Sequence, residues 1–384
     1  MNGRFRTVCY TIEGLNSFAT VIFFNYLYFL FRDRFGFNDK ENLALAAIIG
    51  LIYMFASWQA GRFAQRWGNF TALKIGFVVM AAGLLVGSQL HSMAGEIAAA
   101  CVVNIGMCFI WPVLEALISE GAHAARAVGV YNITWAAANA AAYFIGGTLI
   151  VKFGYQSMFY LPLVFILIQL ALVFWLEKIH GDVAGEPGGL PEYDANRPTP
   201  ARAKNFQHMA WLANPFAYIA INTLLAVIPG LAAKFQMSPM LAGFVCSLWC
   251  FVRLGAFVLL WRWPGWHYRF RWLVTAFALL ILAFAAILVA PNLAVLIAAQ
   301  IFFGAAIGLI YYSSLFYSMD ASDTKSEHGG IHEAAIGAGN FIGPAVGAAA
   351  LQFAAQNPNA GAYAVSGLLV CGLGGLVMIR RLAR

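Results

Sequence analysis

The chain has 384 residues, of which 62% are apolar or aromatic and only 10% are charged, and its net charge is +7. About 25% of the residues in a soluble domain are charged, and a soluble domain of this size could not bury so much apolar surface. The composition therefore excludes a water-soluble protein. The basic residues lie in short loops beside apolar runs, which fits membrane topology and gives no reason to expect a nucleic-acid partner.

Twelve apolar runs follow one another along the chain, and each is long enough to cross a bilayer as a helix. Most connections have only a few residues, so successive helices are expected to be antiparallel neighbours. The sequence thus predicts an all-α integral membrane protein with twelve transmembrane helices. The predicted spans lie near residues 8–31, 42–61, 70–90, 97–118, 128–150, 157–178, 210–233, 240–261, 272–290, 293–318, 329–354 and 361–379.

One connection, 179–206, is longer than the others. It contains four prolines among Gly, Glu and Asp and has no apolar periodicity, so it is interpreted as a flexible linker. It divides the spans into six and six. The predicted units are therefore an N-terminal bundle over 1–178, the linker, and a C-terminal bundle over 207–384.

Lys and Arg are distributed unevenly between the two sets of loops. Seventeen lie at the termini, in the linker and in the even-numbered loops, five lie in the odd-numbered loops, and one lies inside a span. Cytoplasmic loops are enriched in these residues. The bias predicts a plasma (inner) membrane protein with both termini and the linker in the cytoplasm.

The two halves also resemble each other in sequence. Residues 128–147 align with residues 329–348 at a shift of 201. Two parallel repeats of six helices are typical of secondary transporters, whose central site lies between the halves. The aligned pairs include Gly129 with Gly330, Asn139 with Asn340, Tyr131 with His332 and Asn132 with Glu333.

The loop between spans two and three has the sequence GRFAQRWG over residues 61–68. It resembles the Gly-x-x-x-Asp-Arg-x-Gly motif of the major facilitator superfamily. Gly61, Arg66 and Gly68 fit that motif, Arg62 adds a basic residue, and Gln65 replaces the acidic residue. The resemblance extends in architecture over the whole chain and implies a transporter with two six-helix halves, a cytoplasmic linker and alternating access. It singles out no substrate.

Ionisable residues inside the spans are the leading functional candidates, because a charge at mid-bilayer costs about 2.5–3.5 kcal/mol or more unless it is paired or hydrated. Glu13 lies in span one, Glu115 toward the cytoplasmic end of span four, and His332 and Glu333 in span eleven. Three interpretations stay open for Glu13 and Glu333. They form ion pairs of a cytoplasmic gate between the halves, they bind substrate or protons, or they are simple charges at helix ends. Glu115 is a candidate for the gate, together with the residues of the loop motif.

Arg253 in span eight is predicted to be the deepest charge, and arginine stays ionised. It is interpreted either as the holder of a substrate anion or as a structural counter-ion to Glu13 or Glu333. Amide and aromatic side chains in the spans are expected to line a polar cavity with apolar walls. The candidates for that lining are Asn16, Asn25, Trp111, Tyr131, Asn132, Trp135 and Tyr311.

The sequence contains no phosphate-binding loop and no pair of metal ligands at helical spacing. We therefore expect no enzymatic activity, no cofactor and no metal. The leading hypothesis is a monomeric secondary transporter of a small organic solute, with an organic anion as one option. Proton symport is expected, with Glu333 as the leading proton carrier and Glu13 as the second. The alternatives are drug or metabolite efflux, and a non-transporting or lipid-handling membrane protein with the same fold, such as a receptor or scaffold.

Overall fold

The computed structural model describes residues 3–119, 124–181, 199–321 and 325–382. Within these ranges the regular structure is helical and no strand occurs. Helices α1 to α7 are Gly3–Phe35, Asp39–Trp67, Asn69–Gly87, Met93–Cys108, Trp111–Ile118, Ala124–Phe153 and Ser157–Gly181. Helices α8 to α14 are Pro200–Lys234, Pro239–Cys246, Leu248–Arg262, Phe270–Leu288, Leu293–Ala321, Lys325–Phe353 and Ala360–Leu382.

Twelve segments of the described chain are helices long and apolar enough to cross a membrane, which confirms the predicted number of spans and the all-α fold class. Two of these segments are interrupted. The fourth span consists of α4 and α5, which are separated at residues 109–110 just before Pro112, and the eighth consists of α9 and α10, which are separated at Ser247. The amide N–H groups of Phe109 and Ile110 bond three residues back, a tighter turn than the α-helix.

The helices extend into both ends of the predicted linker. Helix α7 continues to Gly181, and α8 begins at Pro200, before the predicted boundary at 207. Proline at the first helical position needs no N–H partner, and Ala203 and Phe206 are already buried, so packing stabilises this polar first section of α8. Residues 182–198 lie outside the described ranges, and the division into two bundles stays a prediction.

Two seams join the N-terminal and C-terminal halves of the chain. In one, α2 packs along α13, and in the other α6 packs against α9 and α10. Glycines allow the close approach in the first seam. A Cβ atom on Gly50 would collide with the backbone of Asn340, and one on Gly337 would collide with the backbone of Met54. The backbones touch here, so these helices can form the walls of a site between the halves.

Candidate functional site

A cavity of about 190 Å³ lies between the two halves. It has room for a small organic molecule, far more than a single water needs. Helices α1, α2, α4, α5 and α6 contribute one wall, and α8, α10, α12 and α13 contribute the other. Nine of the predicted site residues line it, namely Glu13, Asn25, Trp111, Glu115, Tyr131, Trp135, Arg253, Tyr311 and Glu333.

Glu13 is the carboxylate of the N-terminal wall, and its side chain is buried. It accepts hydrogen bonds from the Ser17 hydroxyl at 2.8 Å, the Tyr131 hydroxyl at 3.0 Å and the Trp111 indole N–H at 3.2 Å. Ser17 is one helical turn further along α1 and so lies on the same face. Three neutral donors on α1, α5 and α6 thus fix this carboxylate at the cavity surface.

Glu333 on α13 is also buried, and it bonds across the seam between the halves. Its carboxylate accepts a hydrogen bond from the hydroxyl of Tyr53 on α2. The described residues give it no other hydrogen-bond partner. The bond between Glu333 and Tyr53 must break if these parts of α2 and α13 separate.

Arg253 on α10 is 4% exposed and bonds across the second seam. Its Nη2 donates to Oδ1 of Asn139 on α6 at 3.0 Å, while Nε has no partner. The guanidinium lies 4.5 Å from the ring centre of Trp135 and 4.9 Å from that of Trp249, within the range of cation–π attraction. Among the described residues Arg253 makes no ion pair, so the counter-ion interpretation finds no partner in this arrangement.

Three of the predicted substrate- or ion-binding candidates lie outside the cavity lining. Asn16 is fully buried, and neither atom of its amide group has a partner. Asn132 is buried and accepts a hydrogen bond from the indole N–H of Trp135 at 3.0 Å. His332 packs with its ring centre 6.3 Å from that of Tyr311, and its Nε2 has no partner. Of the three, Asn132 contacts a lining residue through a hydrogen bond, and His332 contacts one through its ring.

Eight polar lining residues were not predicted from the sequence, namely Ser17, Thr20, Tyr28, Tyr53, Asn104, Tyr218, Asn222 and Asn340. Asn104 donates to a backbone carbonyl of α2 at 2.9 Å, and Asn222 donates to Asn340. An amide inside an apolar run was the available signal for Asn104 and Asn222. Asn340 already stood out as the repeat partner of Asn139.

The residues of the loop motif lie outside the lining, at the junction of α2 and α3. Gly68 has a φ of +91°, a conformation that favours glycine and explains its place in the motif. The guanidinium of Arg62 lies 4.2 Å from an indole ring centre of its own helix, and Arg66 lies 5.6 Å from another. Gly61 is in the last two turns of α2, whereas Glu115, the other predicted gate residue, lines the cavity.

The lining is unbalanced in charge. Among the described residues it contains three carboxylates and one guanidinium, together with aromatic rings. Within the described ranges no group of three His, Cys, Asp or Glu side chains is close enough to hold a metal ion. Such a surface can hold a small polar solute through charges and hydrogen bonds, and its carboxylates can exchange protons.

A sequence profile described as Major Facilitator Superfamily matches residues 7–213, which is more than half of the chain. The chain belongs to the major facilitator superfamily. A search of curated protein sequences returned no match.

Solved structures extend the likeness to the whole length of this superfamily member. The human organic anion transporter TETRAN has a TM-score of 0.69 at 16% identity, over 98% of this chain and all of that one. An auto-inhibited peptide transporter of the POT family has a TM-score of 0.75 at 14% identity, over 98% of this chain and 97% of that one. A bacterial homologue of the human lysosomal transporter Spinster, inward-facing and unoccupied, has a TM-score of 0.64 at 12% identity. The match covers 100% of this chain and 97% of that one. At these identities the likeness establishes the fold, which is that of membrane transporters.

Proposed function

We propose that this protein is a secondary active transporter that moves a small organic solute bearing a carboxylate across the plasma membrane by proton symport. The observation that carries the proposal is the cavity between the halves, where buried carboxylates and an arginine without an ion pair share one lining. Buried charges are expensive in a membrane and are typical of substrate and ion pathways.

Arg253 is the proposed anion holder. Its guanidinium carbon lies 4.5 Å and 4.9 Å from the ring centres of Trp135 and Trp249, and its planar set of N–H groups matches a carboxylate in shape and charge. One of the similar structures is by name an organic anion transporter, and others are by name peptide transporters, which also agrees with a carboxylate-bearing solute.

Glu333 is the proposed proton carrier. A carboxylate with one hydrogen bond can take up a proton on its other oxygen without displacing a set of donors, whereas Glu13 holds three donors. Because the partner of Glu333 is in the other half of the chain, rocking of the halves would change the environment of Glu333 at each step. Protonation and access would thereby be coupled.

The energetics permit accumulation. Symport of one proton with a monoanionic solute moves no net charge, so the pH gradient drives it, and each pH unit yields about 1.36 kcal/mol, or roughly tenfold accumulation. For a solute that is neutral overall, the proton also carries its charge across the membrane, and 100 mV then adds about 2.3 kcal/mol, or roughly fifty-fold accumulation.

Reconstituted vesicles test the proposal. The purified protein is placed in liposomes that contain a pH-sensitive dye, and organic acids, amino acids, sugars, nucleosides and amphipathic lipids are added outside one at a time. A symported solute should acidify the lumen in a protein-dependent manner. Solute movement with lumenal alkalinisation would indicate efflux by antiport. Absence of movement for the whole panel would favour a protein that transports no solute.

A further inference from the structure

We propose that the solute is dipolar, with a carboxylate that binds Arg253 at one end and an amine that binds the acidic part of the cavity at the other end. This inference rests on the proposed function, because it assigns a substrate class to the same cavity. It goes further by requiring a second, positively charged group on the solute and a distance between the two charges.

The described part of the cavity has a single positive pole. Among the described residues, Arg253 is the one Lys or Arg side chain in the lining. It is 4% exposed, and its Nε has no partner. The ring centres of Trp135 and Trp249 lie 4.5 Å and 4.9 Å from the guanidinium carbon, within the range of cation–π attraction, and the planar guanidinium matches the geometry of a carboxylate. A solute with only an amine would leave these donors unused and would be repelled by them.

The cavity also has a negative pole, which Glu13, Glu115 and Glu333 form. Glu13 and Glu333 hold hydrogen bonds from neutral donors, and no basic side chain of the described chain pairs with either. Glu115 lines the cavity and has no hydrogen-bond or ion-pair partner among the described residues. A solute with only a carboxylate would meet three carboxylates and one guanidinium. An ammonium group satisfies the carboxylates and also suits the aromatic wall beside them.

Helix α6 shows how far apart the poles lie. Tyr131, Trp135 and Asn139 follow each other at intervals of four residues, so they form one stripe on the cavity side of α6. Tyr131 donates to Glu13, whereas Asn139 accepts from Arg253. At 1.5 Å per residue the stripe advances about 6 Å from the first to the second residue and about 12 Å to the third. The geometry favours a solute whose charges are several bonds apart over an α-amino acid, which carries both on one carbon.

Binding to the purified protein tests this without any gradient. 6-Aminohexanoate is compared with hexanoate, hexylamine and glycine at one pH, by thermal stabilisation and tryptophan fluorescence. We expect 6-aminohexanoate to bind at least tenfold more tightly than each of the other three. Equal or tighter binding of hexanoate would overturn the dipolar proposal and leave the proposed anion symport intact. Tighter binding of hexylamine or glycine, or no binding of 6-aminohexanoate, would also overturn it.

Two variants assign the poles. Glu115→Gln should remove the advantage of 6-aminohexanoate over hexanoate, and Arg253→Gln should remove its advantage over hexylamine. Glu177→Gln is the matched control, because it makes the same chemical change in an exposed carboxylate that pairs with Lys74 outside the cavity. This control should keep both advantages. If Glu115→Gln also keeps both in a monodisperse preparation, the negative pole is assigned wrongly and the proposal fails.

Discussion

At the scale of single residues, Arg253 shows how an apolar fold can hold a permanent charge. A buried guanidinium needs partners for its donors, and one amide oxygen together with two aromatic faces supplies part of that need. None of these groups neutralises the charge. The arginine therefore keeps its attraction for an anion, which an ion pair with Glu13 or Glu333 would have cancelled.

Replacement of Arg253 should separate binding from packing. Arg253→Ala should abolish binding of the solute identified in the vesicle assay, whereas Arg253→Lys should retain part of it, because charge survives while the planar set of donors is lost. Thermal stabilisation by the solute measures both. Unchanged affinity in Arg253→Ala would mean that the arginine serves packing or the contact with Asn139 only.

Glu333→Gln mimics a carboxyl group that stays protonated. The variant should exchange solute across the vesicle membrane at equilibrium, because the amide can still accept a hydrogen bond from Tyr53. It should fail to concentrate solute when a pH gradient is imposed. Counterflow and gradient-driven uptake in the same preparation measure these two properties.

Two results would contradict the role of Glu333. If Glu333→Gln accumulates solute as well as the unmodified protein, the proton is carried elsewhere, and Glu13→Gln becomes the next variant to test. If exchange is lost together with accumulation, the bond to Tyr53 serves binding or the gate.

The cavity-lining position of a single residue was predictable where a charged side chain interrupts an apolar run. Glu13, Arg253 and Glu333 are charges within apolar runs, and all three line the cavity. Tyr53 could not be found in this way, because tyrosine is common in transmembrane helices. His332 was a candidate by residue type. It is adjacent to Glu333 on α13, so its side chain points to a different face of the helix, and only that of Glu333 lines the cavity. Which face of α13 is turned toward the cavity cannot be predicted from the sequence.

At the scale of helices, the seam between α2 and α13 depends on residues that have no side chain. Gly50 faces the backbone of Asn340, and Gly337 faces that of Met54. Close backbone approach of this kind is how small residues stabilise helix pairs in membranes, where the hydrophobic effect does not drive association.

A pair of matched substitutions tests the seam. Gly50→Ala should destabilise the protein by about 1–3 kcal/mol, because its Cβ has no space beside Asn340. Gly255→Ala in α10 meets nothing within 4 Å and should be neutral or stabilising by up to about 1 kcal/mol through helix propensity. Thermal unfolding in one detergent compares the two. A Tm for Gly50→Ala equal to that of Gly255→Ala would show that the seam is looser than described.

The helices were predictable in number and order, because hydropathy registers any apolar run long enough to cross a bilayer. Their ends and interruptions were not. The break in span eight at Ser247 leaves no mark in hydropathy, since both sides are apolar. The start of α8 at Pro200 lies in a polar section that hydropathy assigns to a loop, although burial of Phe206 stabilises it as helix.

At the scale of the whole molecule, the predicted topology rests on the number of Lys and Arg residues in the loops. Two ion pairs lie on the predicted outer side, where Arg34 lies 2.7 Å from the buried Glu96 and Arg32 lies 3.5 Å from Asp39. On the predicted cytoplasmic side, Lys74 lies 2.5 Å from Glu177. Orientation follows the Lys and Arg residues, and Asp and Glu contribute little to it, so these pairs do not change the predicted orientation.

Cysteine labelling tests this orientation. The experiment begins from a Cys371→Ser background, because Cys371 is the exposed cysteine among the described residues. Leu190→Cys lies in the predicted linker, and His91→Cys lies in an exposed loop on the predicted outer side. In intact cells an impermeant thiol reagent should label the cysteine at 91 and not the one at 190. Opened cells are the control and should allow labelling of both. Labelling at 190 in intact cells would reverse the topology, and with it the face from which the proposed symport loads its protons.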